Sequence, residues 1–222
     1  MLKRFAAVVF GLAAFAAAHA QQSFEAGKEY FLVEPAQGTS TGDKIEVLEV
    51  FSYACPACNQ FRPFADKIKE SLPANATMTY LPASFIPTED WPVFQRAFFA
   101  AEALGLVDKT HNAMFDAVWK DGSLKVSDPV THQLAKPLPT IEDVAKFYAG
   151  YGAKADEFVG VANSFAVNTK MKRADAQIKA YGVDSTPTII VNGKYRVTPR
   201  SAGGMDKIQA VVAFLVAQES HK

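Results

Sequence analysis

The feature that most constrains this 222-residue chain is a junction at Ile45 to Cys58, where the run IEVLEVF stops at Ser52 and two cysteines, Cys55 and Cys58, follow almost at once. The run is short, β-branched and apolar on nearly both faces, the pattern of a buried central strand. A helix begins directly after it. Phe61, Phe64, Ala65, Ile68 and Leu72 fall at i, i+3, i+4, i+7 and i+11, and Leu72-Pro73 ends the stripe. Pro63 lies inside the stripe and predicts a kink. The cysteines therefore sit where a buried strand hands over to a helix, in a chain of α/β character.

The N-terminus reads as an export signal. Lys3 and Arg4 precede an apolar, small-residue run from Phe5 to Ala18, and Ala18-His19-Ala20 suits a cleavage site. That predicts a signal peptide over residues 1–20, cut before Gln21, too short and alanine-rich to span a bilayer. Cleavage removes two of the 23 basic residues, leaving 21 against 23 acidic ones. A faintly acidic mature domain suggests neither nucleic acid nor an anionic membrane as partner. About half the chain is apolar (49%), ample for one sizeable core without a structural disulfide.

Beyond the junction, Met78 to Leu81 reads as a second strand. From Thr88 to about Ser164 the texture is helix after helix: Trp91 to Leu104 stopped by Gly105, Lys109 to Trp119 stopped by Asp121-Gly122, and Ile141 to Ala149 stopped by Gly150, with Thr140 and Asp143 resembling a capping box. A single long helix is expected over about Ala155 to Tyr181. Thr188 to Val191 and Lys194 to Val197 then form a hairpin across Asn192-Gly193, and Met205, Ile208, Val211, Val212, Leu215 and Val216 mark a last helix. The expected organisation is a first α/β part at 21–87, an all-helical insertion at 88–164 and a second α/β part at 165–222.

An oxidising compartment permits structural disulfides, yet the two cysteines are only two residues apart. As a staple the pair is poor, since chain entropy gives about 2 kcal/mol for so small a loop against nearly 5 for about a hundred residues. As a zinc site it is incomplete within one chain, because the histidines left after cleavage, His111, His132 and His221, are not spaced as a ligand pair. A metal bridging two chains stays open. A redox pair suits the position better. Pro56 fits the first helical turn, and Cys55 then sits at a helix N-terminus, where free amides and the helix dipole lower a thiol pKa into the range of about 3.5 to 7.5. Cys58, one turn further in, points toward the protein and is the expected buried resolving thiol. Glu49 alternates onto one strand face with Ile45, Val47 and Phe51, where a carboxylate is costly. It is read either as a strand-end glutamate reaching solvent or as a functional acid.

The stretches VLEVFSYACPACNQF and GVDSTPTIIVNGKYRV, with helices between them, resemble the DsbA-type periplasmic thiol:disulfide oxidoreductases over essentially the whole mature chain. The resemblance implies a thioredoxin fold interrupted by an all-helical insertion domain. It implies Cys55 as the exposed nucleophile or leaving group, Cys58 as its resolving partner and Pro187 as a cis-proline beside the disulfide. It further implies that the Thr186 backbone pairs with an extended client segment, and that Glu49 exchanges a proton with Cys58. Three positions depart from the family's habit. The dipeptide Pro56-Ala57 tunes the potential and lacks the histidine common in strong oxidants; Thr186 stands where valine is common; and Tyr80 stands where a lysine often lies near the glutamate.

These features predict a periplasmic enzyme that donates its Cys55-Cys58 disulfide to exported proteins through a mixed disulfide at Cys55. No metal or organic cofactor is expected beyond that redox-active disulfide. The resemblance implies a DsbB-like quinone-linked membrane partner for reoxidation, and the expected state is a monomer. A reductase or isomerase of the same fold, and a non-catalytic peptide-binding module, remain as other readings. Phe85, Trp91, Phe94, Phe98, Phe99 and Trp119 are expected in the core, and His111 and His132 as surface or satisfied core histidines.

Overall fold

The computed structural model describes residues 23–128, 130–131 and 133–220. The expected signal peptide, His132 and His221 lie outside the described residues. Strands β1 (Phe31–Leu32), β2 (Ile45–Phe51) and β3 (Ala76–Pro82), with helix α1 (Pro56–Ser71) between the last two, precede the helical middle. That middle holds α2 (Trp91–Ala103), α3 (Val107–Trp119), α4 (Ile141–Ala149), α5 (Ala155–Ala162) and α6 (Phe165–Ala180). Strands β4 (Thr188–Val191) and β5 (Tyr195–Val197), the short α7 (Pro199–Ala202) and α8 (Ile208–Ser220) complete the chain.

The sheet order is β1-β5-β4-β2-β3. Strand β2 is the central one, buried at all seven positions, parallel to β3 across the α1 crossover and antiparallel to β4. Two apolar cores follow from its alternation. Ile45 and Val47 join Ile189 and Val191 of β4 against Phe61 and Ile68 of α1 and Ile208, Val212 and Leu215 of α8. Leu48 and Val50, with Ile190, face the other way into a core continuous through α2, α3, α4, α5 and α6. This is the thioredoxin fold carrying a helical insertion. Trp91, Phe94, Phe98 and Phe99 belong to that second core, whereas Phe85 is 38% exposed.

Local signals account for most element ends. Thr140 and Asp143 form the reciprocal capping box of α4. Asn192 (φ 50°) and Gly193 (φ 66°) make the β4–β5 turn, closed by Lys194 N–H donating to the Val191 carbonyl at 3.0 Å. A Cβ on Gly193 would stand 2.1 Å from the Gln37 carbonyl oxygen, so only glycine fits. Pro63 lies inside α1 without ending it. The expected helix from Ala155 to Tyr181 is two helices: Asn163 ends α5, and the Ser164 side chain accepts from Val167 N–H to start α6. A serine that caps competes with the helix continuing through it. Strand β1, two residues long at the sheet edge and opposite Arg196 and Tyr195 of β5, is too short to leave a periodic signal in the sequence.

Candidate active site

Cys55 is the N-cap of α1. Its backbone is extended (φ −86°, ψ 117°), Pro56 occupies the first turn, and its sulfur accepts from Cys58 N–H at 3.4 Å. Across the gap, the peptide bond before Pro187 is cis and the Cys55 thiol donates to the Thr186 carbonyl at 3.6 Å. Thr188 Oγ1 donates to the Ser185 carbonyl at 2.8 Å, tying this loop to the start of β4. Both cysteines are free thiols here. Cys58 is fully buried, as its place one turn into the helix predicts, but the exposed Cys55 expected from the resemblance is only 5% exposed. Its sulfur is turned inward against Thr186, and Pro56 faces out instead.

This asymmetry separates the two thiols electrostatically. A hydrogen bond from the Cys58 thiol, helped by the Thr186 hydroxyl and the Cys58 and Ala57 amides, outweighs burial and brings Cys55 down to about 6. Burial pushes Cys58 well above the ordinary thiol value, and its role as donor to Cys55 and the charges of Cys55 and Glu49 add to the rise. The Thr186 hydroxyl makes no hydrogen bond of ordinary geometry with the neutral thiols, yet it favours the charged form of both. As a donor it gains a strong acceptor once a sulfur ionises.

Glu49 lies beneath the pair on β2, opposite Tyr80 of β3 and Ile189 of β4. It is 2% exposed and its Oε2 has no hydrogen-bond partner, which overturns the reading of a strand-end glutamate reaching solvent. Burial above all, with the charges of Asp66 and Cys55, pushes its carboxyl up to about 8. A carboxyl protonated near neutral pH can give its proton to a departing thiolate, and once ionised it can take one back from a thiol.

The surrounding rings were not legible as a group in the sequence. Tyr80 packs edge-on to Phe51 and stacks on His111 at 4.2 Å, with Lys69 Nζ 5.9 Å from its ring centre. His111 shares a 3.1 Å hydrogen bond with the Tyr53 hydroxyl, and burial, followed by the charges of Lys69 and Arg62, holds it neutral with a pKa of about 3. It is a satisfied core histidine, as expected. Trp119 Nε1 donates to the Tyr53 carbonyl at 2.8 Å, so α3 braces the loop before Cys55. Only three-dimensional proximity joins Tyr53 to His111, 58 positions apart, and although Tyr53 falls within the stretch around the cysteines, His111 falls in no motif. No group of three or more His, Cys, Asp or Glu side chains among the described residues is placed to hold a metal ion.

A thioredoxin sheet with a Cys-Pro-Ala-Cys corner, one acidic thiol and one buried thiol defines a thiol:disulfide oxidoreductase. Residues 33–209 match the family model described as Thioredoxin. The chain is 36% identical over 213 residues to the thiol:disulfide interchange protein DsbA of Pseudomonas aeruginosa, covering 96% of this chain and 92% of that one. It is 33% identical to DsbA of Azotobacter vinelandii, with 95% and 92% covered. Among solved structures, Pseudomonas aeruginosa DsbA superposes with a TM-score of 0.75 at 35% identity, over 89% of this chain and 95% of that one. The Xylella fastidiosa oxidoreductase DsbA superposes with 0.78 at 30% identity, over 89% and 98%. The chain belongs to the DsbA family of thioredoxin-fold protein disulfide oxidoreductases.

Proposed function

We propose that the protein acts in the periplasm, after removal of residues 1–20, as a donor of its Cys55-Cys58 disulfide to exported proteins. A client thiolate attacks Cys55 Sγ, the Cys55-Cys58 bond breaks, and Cys58 leaves as a thiolate that takes its proton from Glu49. A second client thiolate then attacks the client sulfur of the mixed disulfide and releases Cys55 as a thiolate. The client gains one disulfide and the enzyme is left as the dithiol. Cys55 is the better leaving group because its pKa is the lower. The extended client segment pairs with the Thr186 backbone ahead of Pro187, and Pro56-Ala57 sets how acidic Cys55 is.

A DsbB-like membrane quinone reductase reoxidises the dithiol in this scheme, the protein works as a monomer, and it needs no metal or organic cofactor. The helical segment 88–164 serves as an insertion between thioredoxin-like parts 21–87 and 165–222. The observation that carries the proposal is the opposite displacement of two neighbouring thiols above a buried carboxyl whose Oε2 has no hydrogen-bond partner.

The test is the reduction potential of the pair, measured by equilibrating the mature protein in glutathione buffers and counting free thiols. A value near about −120 mV, the DsbA value, supports the donor. A value near about −230 mV or lower overturns it in favour of a reductase or isomerase.

A further inference from the structure

The loop that carries Thr186 and Pro187 has a second side. Asp184 and Ser185, directly before it, line an open groove of about 420 Å³ together with Phe31, Arg196, Thr198 and Arg200. Three elements build it. Phe31 of β1 lies opposite Arg196 of β5 in the ladder, and the guanidinium sits 5.5 Å from the Phe31 ring centre while donating to the Gly182 carbonyl. Thr198 caps α7 and sets Arg200, exposed, in its first turn.

The groove's charge is not neutralised internally. Neither arginine forms an ion pair with a carboxylate among the described residues, and the Asp184 carboxylate accepts from Ser185 Oγ at 3.0 Å. Two arginines and one aspartate line the groove beside an aromatic ring, in a chain with no net positive charge. The groove is joined to the site already described through the chain, because its lining residue Ser185 directly precedes Thr186, whose carbonyl lies 3.6 Å from Cys55 Sγ. In an extended segment, side chains two residues apart share a face, about 6.6 Å from one another. A client strand with its cysteine at Cys55 and its backbone along Ser185 and Thr186 thus brings a residue two positions away over the groove.

We infer that this groove is a client subsite that reads an acidic side chain two residues from the client cysteine, with Arg200 as its main contact and Arg196 and Phe31 as its fixed wall. The inference rests on client pairing at Thr186, part of the proposed function. An exposed guanidinium–carboxylate contact of this kind changes kcat/KM by about two- to fivefold, and the change is screened by salt.

The experiment uses the oxidised mature protein and reduced two-cysteine peptides carrying Glu, Gln or Lys two residues before or after one cysteine. The expected order of oxidation rates is Glu, then Gln, then Lys, for at least one placement, narrowing at high salt. In Arg200→Glu the order inverts, and in Arg200→Gln, which removes the charge while keeping a polar side chain, it flattens. Rates independent of peptide charge in the wild type, or an order unchanged in both variants, overturn the subsite. Failure of the Gln peptide to be oxidised by any of the proteins would instead overturn the donor reading beneath it.

Discussion

At Cys55 a hydrogen bond from Cys58 outweighs burial, and the resulting pKa of about 6 is directly measurable. The ultraviolet thiolate absorbance of the reduced protein should titrate with a midpoint near 6 and vanish in Cys55→Ser; a midpoint above 8 would mean that the Cys58, Thr186 and amide contacts do not act together. Ala57 leaves one possible donor out of that set. Ala57→His should add it, lowering the midpoint by about one unit and raising the reduction potential by about 30 mV. An unchanged potential alongside a lowered midpoint would show that the dipeptide does not tune the couple through Cys55. Glu49 has the opposite sign. Its folded pKa of about 8 lies above the ordinary 4.5, so the folded state holds a proton that the unfolded chain has lost. Stability is fully present below pH 4.5 and declines as pH rises toward 8, by up to about 1.4 kcal/mol per pH unit. The comparison belongs on the oxidised protein, where neither cysteine titrates. There, denaturant unfolding of Glu49→Gln should lack the decline, and parallel pH curves for the two proteins would show that Glu49 is not held protonated.

Among the elements, those defined by local chemistry were readable in the sequence and those defined by distant contacts were not. The β2 run, the Thr140 box and the Asn192-Gly193 turn each carry their reason within a few residues. The break between α5 and α6 was also written locally, in Asn163-Ser164, but apolar residues on both sides masked it. Ser164→Ala removes the Val167 N–H acceptor and should cost about 1 kcal/mol in urea unfolding with the potential unchanged; a loss within error would mean that packing alone starts α6. At the active site, Cys55, Cys58 and Pro56 were legible because spacing and helix-start chemistry define them. Thr186 and Pro187 needed the family pattern. The Tyr80–His111–Tyr53 packing could not be found, because it joins β3, α3 and the loop after β2, and no period in any one segment records it. The burial of Cys55 was missed for the same reason: the Thr186 carbonyl that covers it lies 131 positions away.

At the scale of the whole molecule, redox state and folding are one equilibrium. Arg62 of α1 bonds Asp116 and the Asn112 carbonyl of α3, each at 2.9 Å, and the apolar core runs without interruption from β2 into the helical segment. A change in the Cys55 charge is therefore felt by a structure that coheres as one body. The Cys55 pKa falls from the ordinary 9.0 to about 6 on folding of the reduced chain, so the folded state releases a proton that the unfolded chain retains. The associated stability is fully present above pH 9 and is lost as pH falls through 6. Formation of the disulfide removes that thiolate and its stabilisation, which under the proposed donor function favours the reduced form. Reduced Glu49→Gln and reduced Glu49→Gln/Cys55→Ser, unfolded by denaturant across this pH range, both lack the Glu49 titration, which the Cys55 charge would otherwise shift. Their difference therefore isolates Cys55. It should shrink from pH 9 to pH 6, by up to about 1.4 kcal/mol per pH unit, and level off below. A difference that is flat across the range would mean that the folded protein does not favour the thiolate, and the driving force for disulfide donation would have to come from strain in the oxidised form instead.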